Sequence, residues 1–321
     1  MSDFWTQMPE MAARLDAVRA RMRLVVSGAR FPLSHAVVSL IDANGKMLRP
    51  AFMLLAGGFG RRRNVDLTGL AAAIELLHIA TLIHDDVIDA SPTRRGAPTL
   101  HTAYGAKDAV LAGDWLFSRC FALAAQSSSP GNATLLASLI GALCSEEIHQ
   151  DLERFAWPTS ERNYLRKIAG KTAALFSLSL RAGAVEAGAS PSVVATLTRV
   201  GYDVGMAFQI MDDVLDYEST EGELRKPVGN DVREGLCTLP LILALEAGAP
   251  GLRPLLGPAA PNDDSVAAIV AAVRDSGALS SAKARAATYT DRAMRELASL
   301  PRGRAREDLH AIVGRLLTRT F

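Results

Sequence analysis

Two short aspartate clusters, each spelling DDxxD, hold the side chains best suited to chemistry. They comprise Asp85, Asp86 and Asp89 in the first cluster and Asp212, Asp213 and Asp216 in the second. Both lie in apolar sequence with helical spacing, where residues four apart share a face, and such carboxylates would repel one another if buried unpaired. Mg²⁺ removes that cost best, because it binds one or two carboxylates and completes its octahedron with water and phosphate oxygens. The sequence therefore predicts a site where two helices hold a diphosphate through bridging magnesium ions.

Basic residues are gathered near the first cluster. Lys46 and Arg49 lie three residues apart near a predicted helix start, where Pro50 is tolerated in the first turn. Arg94 and Arg95 follow the first cluster within one short loop. Arginine pairs bidentately with phosphate oxygens and lysine acts as a mobile point charge, so the set suits a diphosphate. Each of these residues taken alone would be interpreted as a surface charge.

Two histidines, His78 and His84, precede the first cluster in the same apolar segment. The default interpretation of either is a satisfied core histidine or one that supports a neighbouring ligand. His78 lies seven residues, close to two full turns, before Asp85, so it faces roughly the same side and is a candidate phosphate donor.

The elements that must position these residues are helices. Apolar residues recur at spacings of three and four almost throughout the 321 residues, and no convincing alternating pattern predicts a strand. No linker divides the chain into compositionally different halves. We therefore predict an all-α fold, a single-domain bundle of ten or more helices spanning residues 1–321.

Composition excludes several classes of protein. The net charge of +1 gives no reason to expect nucleic-acid binding. Cys120, Cys144 and Cys237 are too irregularly spaced for a disulfide framework or a zinc site, so we interpret them as reduced thiols of a cytoplasmic protein. The amino terminus lacks a secretory signal pattern, and the longest apolar run, residues 133–144, is too short to cross a bilayer. Any membrane contact is expected to be peripheral, for product release.

The sequence resembles the trans-type (all-E) polyprenyl diphosphate synthases, in the branch that makes medium or long chains. The matching motifs are GKMLRP, ELLHIATLIHDDVIDASPTRRGAPT, LAGDWLFSR, GKTAALF, GMAFQIMDDVLD and KPVGNDVREGxxTLP, in the expected order from residue 45 to residue 240. With the helical spacing on either side, the resemblance covers nearly the whole chain. It implies an isoprenoid synthase fold with a deep central cavity and the two aspartate motifs facing each other at its mouth.

The resemblance also implies a role for each matching residue. Asp85, Asp89 and Asp212 match magnesium ligands, and Asp86, Asp213 and Asp216 match supporting ligands or residues behind them. The positions that hold the diphosphate of isopentenyl diphosphate are Lys46, Arg49, His78 and Arg95. Those that hold the allylic diphosphate are Arg94, Lys171 and Lys226. Thr172 and Gln209 match residues whose oxygens face the developing allylic cation.

The implied reaction is ionisation of the allylic diphosphate, attack by isopentenyl diphosphate and loss of a proton to pyrophosphate, with about three Mg²⁺ per site. One departure is Leu236, where the family often has a lysine that contacts the allylic diphosphate. The remaining cations and metals are expected to suffice, with weaker allylic binding or help from a partner chain as alternatives.

Product length is expected to depend on small residues below the first cluster. Ala80 and Thr81 lie five and four residues before Asp85, about 6–7.5 Å deeper along a helix. The family's short-chain members close the channel there with aromatic residues, so a farnesyl or geranyl product is disfavoured. Leu77 and Ile74, about 12 and 16 Å below Asp85, set a later stop or belong to the core. By analogy we expect about six to nine isoprene units, C30–C45.

Several alternatives stay open. A class I terpene cyclase shares the helical fold and one DDxxD motif but does not need Lys46, Arg49 and Arg95. A short-chain geranylgeranyl synthase and the catalytic subunit of a heterodimer are closer alternatives. The His84-Asp85 pair could indicate an HD-type phosphohydrolase, although His101, His149 and His310 do not lie in the arrangement that this chemistry needs. An inactive scaffold would have lost its metal motifs. The resemblance favours a homodimer formed through helices such as residues 108–126.

Overall fold

The computed structural model describes residues 3–28, 33–42, 45–62, 65–94, 97–218 and 228–317. Within these ranges the chain forms fifteen α-helices, a few 3₁₀ turns, one π-helical turn and one short hairpin. The all-α prediction of ten or more helices is therefore confirmed. None of the described helices has a stretch both long and apolar enough to span a membrane.

The described residues group into two compact units. The first contains those of Met1–Ser138 and Leu178–Leu197, and the second those of Leu139–Ser177 and Thr198–Phe321. The single-domain organisation over residues 1–321 and the central cavity stay predictions. Three helices contribute residues to both units: α7 (Pro130–Leu152), α9 (Ala174–Glu186) and α10 (Pro191–Glu218).

The first unit is built around one buried helix. Its own helices are α1 (Pro9–Val26), α2 (Leu33–Asp42), α3 (Leu48–Ala56), α4 (Thr68–Ile88), α5 (Leu100–Tyr104) and α6 (Ala106–Ser127). The sequence of α4 is apolar around most of its circumference, which is typical of a helix buried on all sides. It packs most extensively against α6 and also contacts α1 and α3. Close approach to α6 depends on Gly113, since a Cβ there would collide with the imidazole of His84.

A two-stranded hairpin follows α4 in the same unit. Its strands, β1 (Thr93–Arg94) and β2 (Ala97–Pro98), are antiparallel, with Thr93 opposite Pro98 and Arg94 opposite Ala97. The Thr99 hydroxyl donates to the Ser91 carbonyl at 2.8 Å, which ties the end of the hairpin back to its start. The described residues at the two ends of this loop are therefore held close together.

The second unit has its own apolar core. Its own helices are α8 (Glu161–Ile168), α11 (Asn230–Arg233), α12 (Leu239–Glu246), α13 (Asp263–Asp275), α14 (Ala278–Ser299) and α15 (Arg304–Leu317). Buried residues of α8, α10, α12, α13 and α14 form one continuous cluster. Between α8 and α9 lies a π-helical turn, Ala169–Ala173, and such turns are frequent at functional sites.

Candidate active site

The first aspartate motif occupies the last turn of α4. Asp85 and Asp86 lie inside the helix, and Asp89 caps it, its N–H donating to the Asp85 carbonyl at 2.8 Å. Asp86 is only 5% exposed, and Arg94 of the hairpin donates to its Oδ1 from both Nε and Nη2 at 2.7 Å. Asp85 and Asp89, one turn apart, are each partly exposed. The motif thus has one buried carboxylate held by arginine and two on the accessible side.

The second motif lies near the end of α10 and repeats this division. Asp212 is exposed, whereas Asp213 is 5% exposed and accepts hydrogen bonds from Tyr164 Oη at 2.6 Å and Gln209 Nε2 at 2.7 Å. Asp216 accepts the backbone N–H groups of Asn230 and Asp231, each at 3.1 Å, and so ties α10 to the segment before α12. In both motifs the second aspartate is held inside by protein donors, and the first lies toward solvent.

Burial governs the electrostatics of the second motif. It raises the pKa of Asp213 to about 7, although the hydrogen bonds from Tyr164 and Gln209 lower it. The neighbouring carboxylates of Asp212 and Asp216 raise it further. A bound cation would instead lower the pKa of these carboxyl groups, because it favours their ionised form.

A hydrogen-bonded chain leads from the second motif to the π-helical turn. Gln209 Oε1 accepts a hydrogen bond from the Thr172 hydroxyl at 2.7 Å, while Gln209 Nε2 donates to Asp213. Gly205, one turn before Gln209, permits this approach, because a Cβ there would lie 2.5 Å from the Ala173 Cα. Three residues predicted from the sequence, Thr172, Gln209 and Asp213, are thus brought into one network.

Lys171, adjacent to Thr172, pairs with Glu147 of α7 at 2.9 Å between Nζ and Oε1. Both side chains are partly exposed, so the ion pair itself is expected to contribute little to stability. Whether Lys171 contacts a diphosphate stays a prediction.

The predicted isopentenyl-binding residues of the first unit lie around the start of α3 and on α4. The Lys46 carbonyl accepts a hydrogen bond from Trp5 Nε1 at 2.7 Å, and Met47 adopts a left-handed φ of 49° just before α3 begins. Such a conformation is uncommon for a non-glycine residue and is maintained by its surroundings. Arg49 falls in the first helical turn, and His78 is partly buried on α4.

Arg49 interacts electrostatically with Glu75, a carboxylate only 2% exposed on α4. Part of the Arg49 residue reaches solvent, but burial of its guanidinium lowers its pKa to about 10, and Glu75 opposes that shift. The guanidinium therefore stays charged at neutral pH, next to a buried carboxylate. Glu75 is three residues before His78 on the same helix face.

Replacing Glu75 with Gln should lower the free energy of unfolding by about 1–3 kcal/mol, because the buried Arg49 charge loses its countercharge. Denaturant unfolding followed by circular dichroism measures this. The control is Glu10→Gln on the exposed face of α1, which should change stability by less than about 0.5 kcal/mol. Equal stability of the two variants would contradict the Arg49–Glu75 interaction.

The residues predicted to set product length lie along α4. Ile74, Leu77 and Ala80 are fully buried, and Thr81 is partly buried with its hydroxyl donating to the His78 carbonyl at 2.9 Å. Ala80 contributes no more than a methyl group to its surroundings. Its role in product length stays a prediction.

Leu236 lies in the loop between α11 and α12, where its N–H donates to the Asp231 carbonyl at 2.8 Å. It lines a cavity of about 230 Å³ with Lys167 and Cys237. The three cysteines all fall within the described ranges, and none forms a disulfide. Arg95 and Lys226 lie outside the described residues.

Three residues that interact with predicted site residues were not predicted from the sequence. Glu75 interacts electrostatically with Arg49, Glu147 forms an ion pair with Lys171, and Tyr164 donates a hydrogen bond to Asp213. A signal existed for Tyr164, which lies seven residues, two helical turns, before Lys171. It also existed for Glu75, an acidic residue in an otherwise apolar helix. His84 fits its default interpretation, with Nε2 3.2 Å from the Val110 carbonyl oxygen.

Among the described residues, no three His, Cys, Asp or Glu side chains converge as a ready-made metal cage. Mg²⁺ does not require one, because it takes one or two carboxylates and fills its remaining positions with water and phosphate. Asp85 and Asp89 offer hard oxygen donors one turn apart on the accessible side of α4, and Asp212 offers another on α10. The donor chemistry fits a hard divalent cation.

The helical fold and the two aspartate motifs define the class as an all-α protein of the isoprenoid synthase type. Heptaprenyl diphosphate synthase from Staphylococcus aureus superimposes with a TM-score of 0.93 and 30% identity, covering 97% of this chain and 99% of that one. Geranylgeranyl pyrophosphate synthase from Lactobacillus brevis gives a TM-score of 0.92 and 35% identity, covering 99% of both chains.

The sequence comparisons agree. Heptaprenyl diphosphate synthase component 2 of Geobacillus stearothermophilus is 36% identical over 306 residues, which cover 94% of this chain and 95% of that protein. The family profile described as Polyprenyl synthetase matches residues 32–273. The chain belongs to the polyprenyl synthetase family, and the resemblance noted in the sequence is confirmed.

Proposed function

We propose that this chain elongates an allylic diphosphate by repeated head-to-tail, 1′-4 trans condensation with isopentenyl diphosphate, releasing pyrophosphate at each step. The observation that carries the proposal is the shared design of the two motifs. In each, the second aspartate is buried and held by protein donors, and the first is left accessible to a ligand. Family membership supports the same reaction class.

The cofactor we propose is a divalent cation, specifically Mg²⁺, with three ions per site when substrate is bound. Asp85, Asp89 and Asp212 would bind the metal ions directly. Asp86, Asp213 and Asp216 would be supporting ligands or would hold the ligands in place. When bound, the metal neutralises the charge that develops on the departing diphosphate.

The chain's own residues supply the remaining functions. Arg94, Lys171 and Lys226 bind the allylic diphosphate, and Lys46, Arg49, His78 and Arg95 bind the diphosphate of isopentenyl diphosphate. Binding both substrates side by side replaces a bimolecular encounter with an oriented one. The Thr172 and Gln209 oxygens face the allylic carbon as it becomes positive, so they stabilise charge only when it develops. The proton lost after condensation passes to pyrophosphate.

The product we propose is a medium or long polyprenyl diphosphate of about six to nine isoprene units. Support comes from the small side chain of Ala80 and from a relative that bears the name heptaprenyl diphosphate synthase. A similar structure bears the name geranylgeranyl pyrophosphate synthase, so the fold is shared by proteins named for different product lengths. The side chains lining the tail channel must therefore decide the length.

We propose a homodimer that acts in the cytoplasm, with peripheral membrane contact for product release. Exposed apolar side chains on α6 support the dimer: Val110, Leu111 and Phe121 are 39%, 52% and 40% exposed. Val110 and Phe121 are eleven residues apart and share a helix face, so pairing would cover both. A heterodimer is the alternative, since one relative is named as component 2.

An elongation assay tests the function. The purified chain, with Mg²⁺, farnesyl diphosphate and labelled isopentenyl diphosphate, should consume both substrates and form products of about C30–C45, resolved by chromatography. Consumption of the allylic substrate without incorporation of label would instead indicate a terpene cyclase. Inactivity of the chain alone, with activity restored by a second component, would replace the homodimer with a heterodimer.

A further inference from the structure

We propose that Tyr164 is a positioning residue for the reaction, which fixes the Gln209 amide through Asp213 so that the Gln209 and Thr172 oxygens face the reacting carbon. The inference rests on the proposed function. Tyr164 touches neither substrate directly in this scheme. It acts through two intervening side chains.

The geometry is a continuous chain of three short hydrogen bonds. Tyr164 Oη donates to Asp213 Oδ2 at 2.6 Å, and Gln209 Nε2 donates to Asp213 Oδ1 at 2.7 Å. The Thr172 hydroxyl donates to Gln209 Oε1 at 2.7 Å. All four side chains lie on regular elements of the second unit: α8, the π-helical turn and α10.

The donors and acceptors fix the direction of each hydrogen bond in this series. Both Asp213 oxygens accept, Oδ2 from Tyr164 and Oδ1 from Gln209, so Asp213 turns the donating end of the Gln209 amide toward itself. The amide oxygen must then point the opposite way, where the Thr172 hydroxyl donates to it. The lone pairs of Thr172 Oγ1 are left to face the allylic carbon.

Tyr164 holds Asp213 in the orientation that this arrangement needs. It is 2% exposed and packs in the core of the second unit, so its hydroxyl has one fixed direction. At the start of α8, the Asn163 N–H donates to Ser160 Oγ at 3.2 Å, which anchors the turn that bears Tyr164. Without the phenol, the Asp213 carboxylate could rotate about its side-chain bond, and the Gln209 amide could reverse.

A double-mutant cycle separates this role from mere support of the fold. Tyr164→Phe should lower kcat about tenfold, or about 1.4 kcal/mol, with the KM values of both substrates changed less than about twofold. In the Thr172→Val background, where no hydroxyl remains to be oriented, Tyr164→Phe should lower kcat by less than about twofold. Thr172→Ser, which keeps the hydroxyl, should preserve the full effect.

The matched control is Tyr289→Phe, which removes a partly buried hydroxyl on α14 and should leave kcat unchanged. Thermal melting of each variant shows that it is folded, and Tyr164→Met enters the same cycle if the phenylalanine variant does not fold. Equal losses from Tyr164→Phe in both backgrounds, or no loss in either, would overturn the inference. A wild-type chain that stays inactive even with a second component would refute the proposed function instead.

Discussion

Replacing Asp85 with Asn should lower kcat for elongation by at least about a thousandfold while leaving the protein folded. The substitution removes a carboxylate from the accessible side of α4 and keeps its size and shape. A metal on a departing diphosphate supplies several kcal/mol of charge stabilisation, and each 1.4 kcal/mol is a factor of ten in rate. Incorporation of labelled isopentenyl diphosphate at saturating Mg²⁺ measures the loss.

The other aspartates sharpen the comparison. Asp212→Asn should behave as Asp85→Asn does, whereas Asp291→Asn, on the exposed face of α14, should retain full activity. Asp86→Asn should also lower the melting temperature, because it weakens the ion pair between Arg94 and the buried Asp86 side chain. If Asp85→Asn kept activity within tenfold of wild type, the first motif would not be part of the catalytic site.

Replacing Ala80 with Phe should shorten the main product by several isoprene units, to farnesyl or geranylgeranyl length. Ala80 is fully buried about one and a half turns before Asp85, so a phenyl ring there would close the proposed tail channel about 7.5 Å below Asp85 along α4. Chromatography of dephosphorylated products measures the length. Overpacking is expected to cost about 1–3 kcal/mol, which melting curves would register.

Two further variants distinguish an effect specific to this position from the general effect of adding a larger side chain to α4. Thr81→Phe, at a partly buried position, should also shorten the product, with less strain on the core. Ile79→Phe adds a ring to a buried neighbour about 100° away around the helix and should leave product length unchanged. Identical product distributions for wild type, Ala80→Phe and Thr81→Phe would show that length is set elsewhere.

The sequence predicts the helical fold because its signals are local and repeated. Apolar spacing, abundant alanine and leucine, and proline at helix starts all favour helix, and nothing competes with them. The paired aspartate motifs also predict a metal site from sequence alone, since six acidic residues in apolar helices need an explanation. The exact bounds of α8 were harder to predict, because a π-helical turn follows it without a distinctive sequence.

The partners of the site residues could not be read from the sequence in the same way. Tyr164 and Asp213 are 49 residues apart, and their hydrogen bond exists only because α8 packs beside α10. The Arg49–Glu75 interaction likewise joins two helices. Residue types suggest what a side chain can bind, but the division into buried and accessible aspartates depends on tertiary packing.

The central claim is that both aspartate motifs bind a diphosphate through a divalent cation. Isothermal titration of the wild-type chain with inorganic pyrophosphate, with and without Mg²⁺, tests it most directly, alongside Asp85→Asn and Asp212→Asn. We predict binding to the wild type only when Mg²⁺ is present, and binding weakened at least about tenfold in each variant. Pyrophosphate binding that is independent of Mg²⁺, or as tight in both variants as in the wild type, would contradict the claim.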